Sequence, residues 1–181
     1  MMLKDILIVL GMLIVLAACA EESSPDDFKE YEGPVMEATD VELLHSDSAV
    51  VIIRLTADRQ LEFESGDREF PEGIHIEFYE KKDESKNASI TANQGFFNKK
   101  ENKYTATGDV VVQNFKSGEK LETEELHWEP NKNEIYTDRY VEITTNGDIL
   151  MGEGLTADES FTNWKILKPK GTLSITEEEN K

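Results

Sequence analysis

Cysteine is nearly absent: the 181 residues hold one, Cys19. No intramolecular disulfide can form, and a cysteine metal site is excluded. Histidine is almost as scarce. His45, His75 and His127 stand far apart with no HxxxH or HxH spacing, so the sequence gives no metal-binding pattern. A GxSxG nucleophile turn is missing too. Acid pairs abound, but among 38 Asp and Glu such pairs arise by chance, so neither catalysis nor a cofactor is expected. Positive charge is short, with 19 Lys and Arg and a net charge of −19. That balance argues against nucleic acid as a partner and disfavours adhesion of the surface itself to an anionic bilayer. Long apolar runs are missing as well. The longest, residues 6–18, is shorter than the roughly 20 helical residues that span a bilayer. No segment keeps a helical period over three turns, which excludes a helix bundle.

What is present begins with that short apolar run. It ends in Leu16-Ala17-Ala18-Cys19, small residues closing a secretory leader, and the placement of the cysteine resembles a bacterial lipobox. Cys19 is therefore the expected lipidation site, and several acyl chains on one residue anchor a protein stably. Residues 1–18 read as a lipoprotein signal peptide. Residues 19–34 read as the lipidated cysteine and a flexible acidic linker, polar and proline-containing. Fully extended, residues 20–34 reach about 50 Å, enough to hold a domain clear of a membrane. Residues 35–176 form one domain, and 177–181 a polar tail. Apolar residues are about a third of the mature chain, low for a globular domain and tolerable in a sheet with one apolar face per strand.

The domain reads as strands. Ile74, Ile76 and Phe78 alternate with His75, Glu77 and Tyr79 after a Pro71-Glu72-Gly73 turn, a period-2 pattern with one apolar face. Val51, Ile53, Leu55, Ala57, Leu61 and Phe63 share a face, with Arg54, Thr56, Asp58, Gln60, Glu62 and Glu64 opposite. Ala88, Ile90 and Ala92 follow, then Tyr104, Ala106, Val110 and Val112. Leu121 and Thr123 give way to Leu126 and Trp128 with a slip of parity that predicts a bulge near Glu124-Glu125. Pro130-Asn131-Lys132-Asn133 is a turn, and Asn146-Gly147 is the strongest hairpin signal. Ile135, Thr137, Val141 and Ile143 precede that hairpin; Ile149, Met151, Leu155 and Ala157 follow it. Phe161, Trp164 and Ile166 close the pattern. Residues 37–46 fit a short helix or a strand equally. A Thr-Ala signature recurs at Thr56-Ala57, Thr91-Ala92, Thr105-Ala106 and Thr156-Ala157, the self-similarity of strands laid down in pairs. The expectation is an all-β antiparallel meander that closes on itself or folds into two facing sheets.

Several motifs, in order, resemble the LptC family, the periplasmic component of lipopolysaccharide export. They are Phe70-Pro71-x-Gly73-Ile74-x-Ile76-x-Phe78-Tyr79, Ile90-Thr91-Ala92-Asn93-x-Gly95, and Leu121-x-Thr123-x-x-Leu126-x-Trp128-x-Pro130. Ile135-Tyr136-Thr137-Asp138 and Gly152-x-Gly154-Leu155-x-Ala157-Asp158-x-x-Phe161 complete the set. Many relatives keep an uncleaved transmembrane helix where this chain carries a lipobox. The resemblance implies a twisted, boat-like antiparallel β-jellyroll of two facing sheets, of the OstA-like kind, with an apolar groove for lipid acyl chains. It implies an N-terminal edge that pairs with an inner-membrane ABC transporter and a C-terminal edge that pairs with a soluble, LptA-like periplasmic bridge protein. The implied place is the periplasm, anchored through Cys19 to the inner membrane, with the outer membrane as the other destination.

The inward residues that would line such a groove are Leu55, Ile74, Ile76, Phe78, Ile90, Tyr104, Val110, Val112, Val141, Ile143, Met151 and Leu155. At −19 the surface repels lipopolysaccharide phosphates, so affinity comes from acyl chains, at about 25 cal/mol per Å² of apolar surface buried. Lys99-Lys100-Lys103 and Lys165-Lys168-Lys170 are the basic clusters able to soften the rim. Residues 150–166 are expected to present the open C-terminal edge. The alternative function is a lipid-anchored structural or protein-binding lipoprotein whose β-sandwich core is filled.

Overall fold

The computed structural model describes residues 31–171. The signal-peptide expectation, lipidation at Cys19 and the polar tail fall outside the described residues.

Among the described residues there are eleven strands: β1 (Met36–Asp47), β2 (Val50–Glu62), β3 (Arg68–Phe70), β4 (Ile74–Tyr79), β5 (Lys86–Ala92), β6 (Gln94–Asn98), β7 (Lys103–Asn114), β8 (Lys120–Glu129), β9 (Glu134–Thr144), β10 (Ile149–Asp158) and β11 (Trp164–Lys170). A single 3-10 turn at Pro130–Lys132 joins β8 to β9, where the Pro-Asn pattern placed a turn. Thr145 and Asp148 close the β9–β10 hairpin around Asn146-Gly147. Residues 37–46, which fitted helix or strand, lie within β1. As an edge strand it has one neighbour, and Asp40 at φ 52 interrupts its alternation.

The all-β jellyroll expectation holds, in one continuous antiparallel sheet. The order is β11-β10-β9-β8-β7-β5-β4-β2-β3-β6, with β1 on the outer side of β2 and β6 returning to β7. The long strands β2 and β7 explain how one sheet supplies two facing layers. The first part of β2 pairs β4 and its last residues pair β3. Likewise β7 begins against β6 and ends against β5. Pro71-Glu72-Gly73 separates β3 from β4, and Asn93 separates β5 from β6. The sheet is therefore creased along a line that crosses its strands. On the far side the crease continues as register shifts. Gly108 and Asp109, both at positive φ, give β7 an extra residue opposite Glu124, and β9 carries an extra residue against both β8 and β10. The parity slip read at Glu124-Glu125 is this feature, with the added residues in the neighbouring strands. Buried Ala57, Ala92 and Ala106 lie beside the crease. Three of the four Thr-Ala copies thus mark where small inward side chains let the layers converge.

Between the layers lies the core: Phe70, Val110, Val112, Leu121, Ile135, Val141, Ile143, Leu155 and Phe161 have no exposed surface. Burial of this apolar face supplies the main driving force for folding. Phe78 of β4 and Trp128 of β8 meet edge to face at 5.2 Å, a contact across the layers between strands that are not neighbours in the sheet.

One expectation of side-chain facing fails at the crease, and one outward residue is unexpectedly covered. Gln60, assigned to the outer face, is 4% exposed, because β2 changes parity at the crease. Glu77 does alternate with Ile76 and Phe78, yet it is only 8% exposed. His75, Tyr79 and Lys86 enclose it on the outer face of β4.

Candidate functional site

A column of four rings runs through the space between the layers. Phe97 lies 4.6 Å from Tyr104, Tyr104 stacks on Trp128 at 4.8 Å, and Trp128 meets Phe78. The register sets this column: Phe97 faces Tyr104 and Tyr104 faces Trp128 across adjacent strands. Offset and edge-to-face pairs of this kind add about 0.5–1.5 kcal/mol each beyond their burial.

Beside the column opens a cavity of about 440 Å³, within the roughly 300–1,000 Å³ of small-ligand sites. Leu43 and Leu44 of β1, Ile52, Ile53 and Leu55 of β2, Tyr104 and Trp128 form its apolar wall. Its polar rim is Arg68 of β3, His45, Asn102, the Pro130–Asn133 turn and Glu159. Trp128 donates its indole N–H to Glu159 at 2.6 Å. Burial pushes the Glu159 carboxyl up, against that hydrogen bond. Burial also raises the Tyr104 hydroxyl, and Arg68 beside it pulls the other way.

The β10–β11 loop, whose Glu159 borders the cavity, closes over the core. It sends Phe161 inward, fully buried and at φ 52. Asn114, at the end of β7, holds this loop by donating its side-chain amide to the carbonyls of Phe161 at 2.9 Å and Ser160 at 3.2 Å. Asp158 gathers the same loop by accepting from the backbone N–H groups of Thr162 and Asn163. Trp164 donates to Glu119 at 3.2 Å.

The twelve groove residues separate into three groups. Leu55 and Tyr104 line the cavity. Ile74, Ile76, Phe78, Ile90, Val110, Val112, Val141, Ile143 and Leu155 are packed in the core at 4% exposure or less. Met151 is a correction: it is 37% exposed and lies on the outer face. Gly154, at φ 75, accompanies the β9–β10 register shift between Glu153 and Leu155 and reverses facing along β10. Leu150 packs against the core in its place. The sequence pattern did not mark Leu43, Arg68 and Glu159 as cavity residues. A signal for Arg68 existed, since it stands two residues before the buried Phe70 on the same short strand.

The basic clusters are partly engaged. Lys103 pairs with Glu101 and Lys170 with Glu153, while Lys165 and Lys168 make no ion pair among the described residues. The expected open edge also moves. β10 is covered on both sides, by β9 and β11, so β11, Trp164–Lys170, is the C-terminal edge, and β1 is the N-terminal one. Pro169 and three lysines blunt β11 against promiscuous pairing. Among the described residues, no helix is long and apolar enough to cross a membrane.

Among the described residues the chain is thus a creased single-sheet jellyroll with an apolar mouth and an edge strand at each end. The chain belongs to the lipopolysaccharide-assembly, LptC-related family, whose model matches residues 6–168. It is a transport and assembly family rather than an enzyme family, and membership gives the chain a role in lipopolysaccharide export. No curated protein matches the chain.

Proposed function

We propose that this protein is a lipid-anchored periplasmic module that takes lipopolysaccharide acyl chains into its interlayer space and passes them on. The observation that carries the reading is the apolar cavity opening beside the β1 edge. Chains arrive from an inner-membrane ABC transporter whose sheet pairs with β1, and leave to a soluble bridge protein paired with β11. Cys19, acylated after cleavage of residues 1–18, holds the domain at the inner membrane. Mass spectrometry of the mature protein would detect its acyl chains, and Cys19→Ala would abolish them.

The packed centre gives this reading its physical content. Core residues from Ile76 to Leu155 already satisfy one another, so a long acyl chain enters only as the layers part. Packing of side chain on side chain then gives way to packing of side chain on lipid, at similar free energy per Å². A second reading, an anchored protein-binding lipoprotein with a filled sandwich, draws on the same packed core.

Site-specific photo-crosslinking in cells separates the two. Probes at Leu55 and Tyr104 should capture glycolipid, and a probe at Met151 on the outer face should not. Adducts at none of the three, in a folded and anchored protein, would leave the filled sandwich as the better account.

A further inference from the structure

Arg68 stands out among the charged residues. The chain has twice as many acids as Lys and Arg, and its other arginines have found them. Arg54 pairs with Glu42, Arg59 with Glu37 and Glu72, and Arg139 with Glu125 and Asp138. Arg68 forms no ion pair among the described residues. Its strand register places Glu62 directly across on β2, so a carboxylate stands on the neighbouring strand, yet the guanidinium turns elsewhere. It lies over the Phe97 ring, 4.4 Å from the centroid, and faces the cavity.

A half-buried cation with no counter-ion is costly. The Phe97 face offsets part of that cost, and the Tyr104 hydroxyl beside it offsets more. Capping the aromatic column is thus one role of Arg68, and it uses the flat face of the guanidinium and an edge N–H toward the Tyr104 hydroxyl. The other N–H groups around its edge remain, and a pair of them is the geometry that grips a phosphate or carboxylate with two parallel bonds. Their setting is unusual in this molecule: an apolar wall of Leu55, Tyr104 and Trp128 on one side, and the rim on the other. Glu159, tied to Trp128, places negative charge at another part of the same cavity. An anion is therefore repelled from that part and attracted to Arg68.

We infer that Arg68 is the anion-binding residue of the mouth, and that its ligand is an amphiphile whose phosphate monoester meets Arg68 while its alkyl chain lies on the Leu55–Trp128 wall. This rests on the lipid-binding reading above and adds to it the chemical group that orients the lipid. It also resolves the charge problem of the sequence: a chain at −19 accepts a phosphate at one shielded cation rather than on its surface.

The test uses the full chain in nanodiscs, with tryptophan fluorescence as the readout and empty discs as the blank. Decyl phosphate, decanol and inorganic phosphate are titrated separately. Decyl phosphate should bind about tenfold more tightly than decanol, the advantage of a charge-assisted hydrogen-bonded pair. In Arg68→Gln that advantage should vanish while decanol binding persists, which also shows that the variant is folded; Arg68→Lys should keep part of it. Equal affinity for the two alkyl ligands in the wild type would overturn the assignment of Arg68 and leave the lipid-binding reading standing. Binding of neither would overturn both. Displacement of decyl phosphate by inorganic phosphate at equal concentration would overturn the amphiphile and mark a free-anion site.

Discussion

Glu77→Gln isolates a single buried charge on the outer face of β4. Burial pushes the Glu77 carboxyl up, but hydrogen bonds from Lys86, Tyr79 and His75, with the charge of Lys86, outweigh it and hold the group down to about 2. Tyr79 donates its hydroxyl at 2.5 Å, and the His75 ring sits 3.3 Å away. Measured from an ordinary carboxyl at 4.5, the depression corresponds to at most about 3 kcal/mol. The Lys86 side chain is 37% exposed, so solvent screening brings this to about 2 kcal/mol. A lowered folded-state pKa stabilises the fold above the unfolded value and loses that stabilisation as pH falls through the folded value. Urea unfolding should therefore give a wild-type advantage over Glu77→Gln of about 2 kcal/mol at pH 7. The advantage should shrink below pH 4.5 to less than half at pH 3, with an unchanged m-value. A difference that is the same at pH 7 and pH 3 would refute the reasoning, since it would arise from shape and not from charge.

Other consequences are open to the same assay. Phe161→Ala should cost about 3–5 kcal/mol, and Asn114→Ala about 1–3 kcal/mol through the loop carbonyls it leaves without a donor. The two should fall short of additivity because they loosen the same loop. Gly152→Val should cost about 1–3 kcal/mol, since a Cβ there collides with Ile166 and the Lys168 carbonyl; hydrogen exchange should show β11 amides losing protection first. Met151→Ala should stay within about 0.5 kcal/mol, whereas Ile143→Ala should cost about 2–5 kcal/mol. A large loss at Met151 would contradict its outward placement.

The parts of the fold legible in sequence are those where alternation is unbroken. Ile74-x-Ile76-x-Phe78 pairs with Ala92, Ile90 and Ala88 in the register that period 2 requires, and all are buried. Reading fails where a strand changes the face it presents. Gly154 turned Met151 outward, and the change of parity in β2 hid Gln60. Both lie at the crease, which sequence displays only as glycine and small residues. Crossing of the layers, and with it the cavity, depends on pairings between strands distant in the chain, such as β2 with β3 and β4. The sequence motif around Phe70 marked the fold and not the neighbouring Arg68, because a charged residue beside a turn ordinarily faces water.

The hydrogen-bond connectivity of the sheet has a mechanical side. From β2 to β7 two routes run in parallel, one through β4 and β5 and the other through β3 and β6. From β7 to β11 the strands stand in single file. Tension applied between β1 and β11 would thus be shared in the first stretch and borne link by link in the second. Register shifts interrupt three of those single links, β7–β8, β8–β9 and β9–β10. These three interruptions thus fall where no second route shares the load.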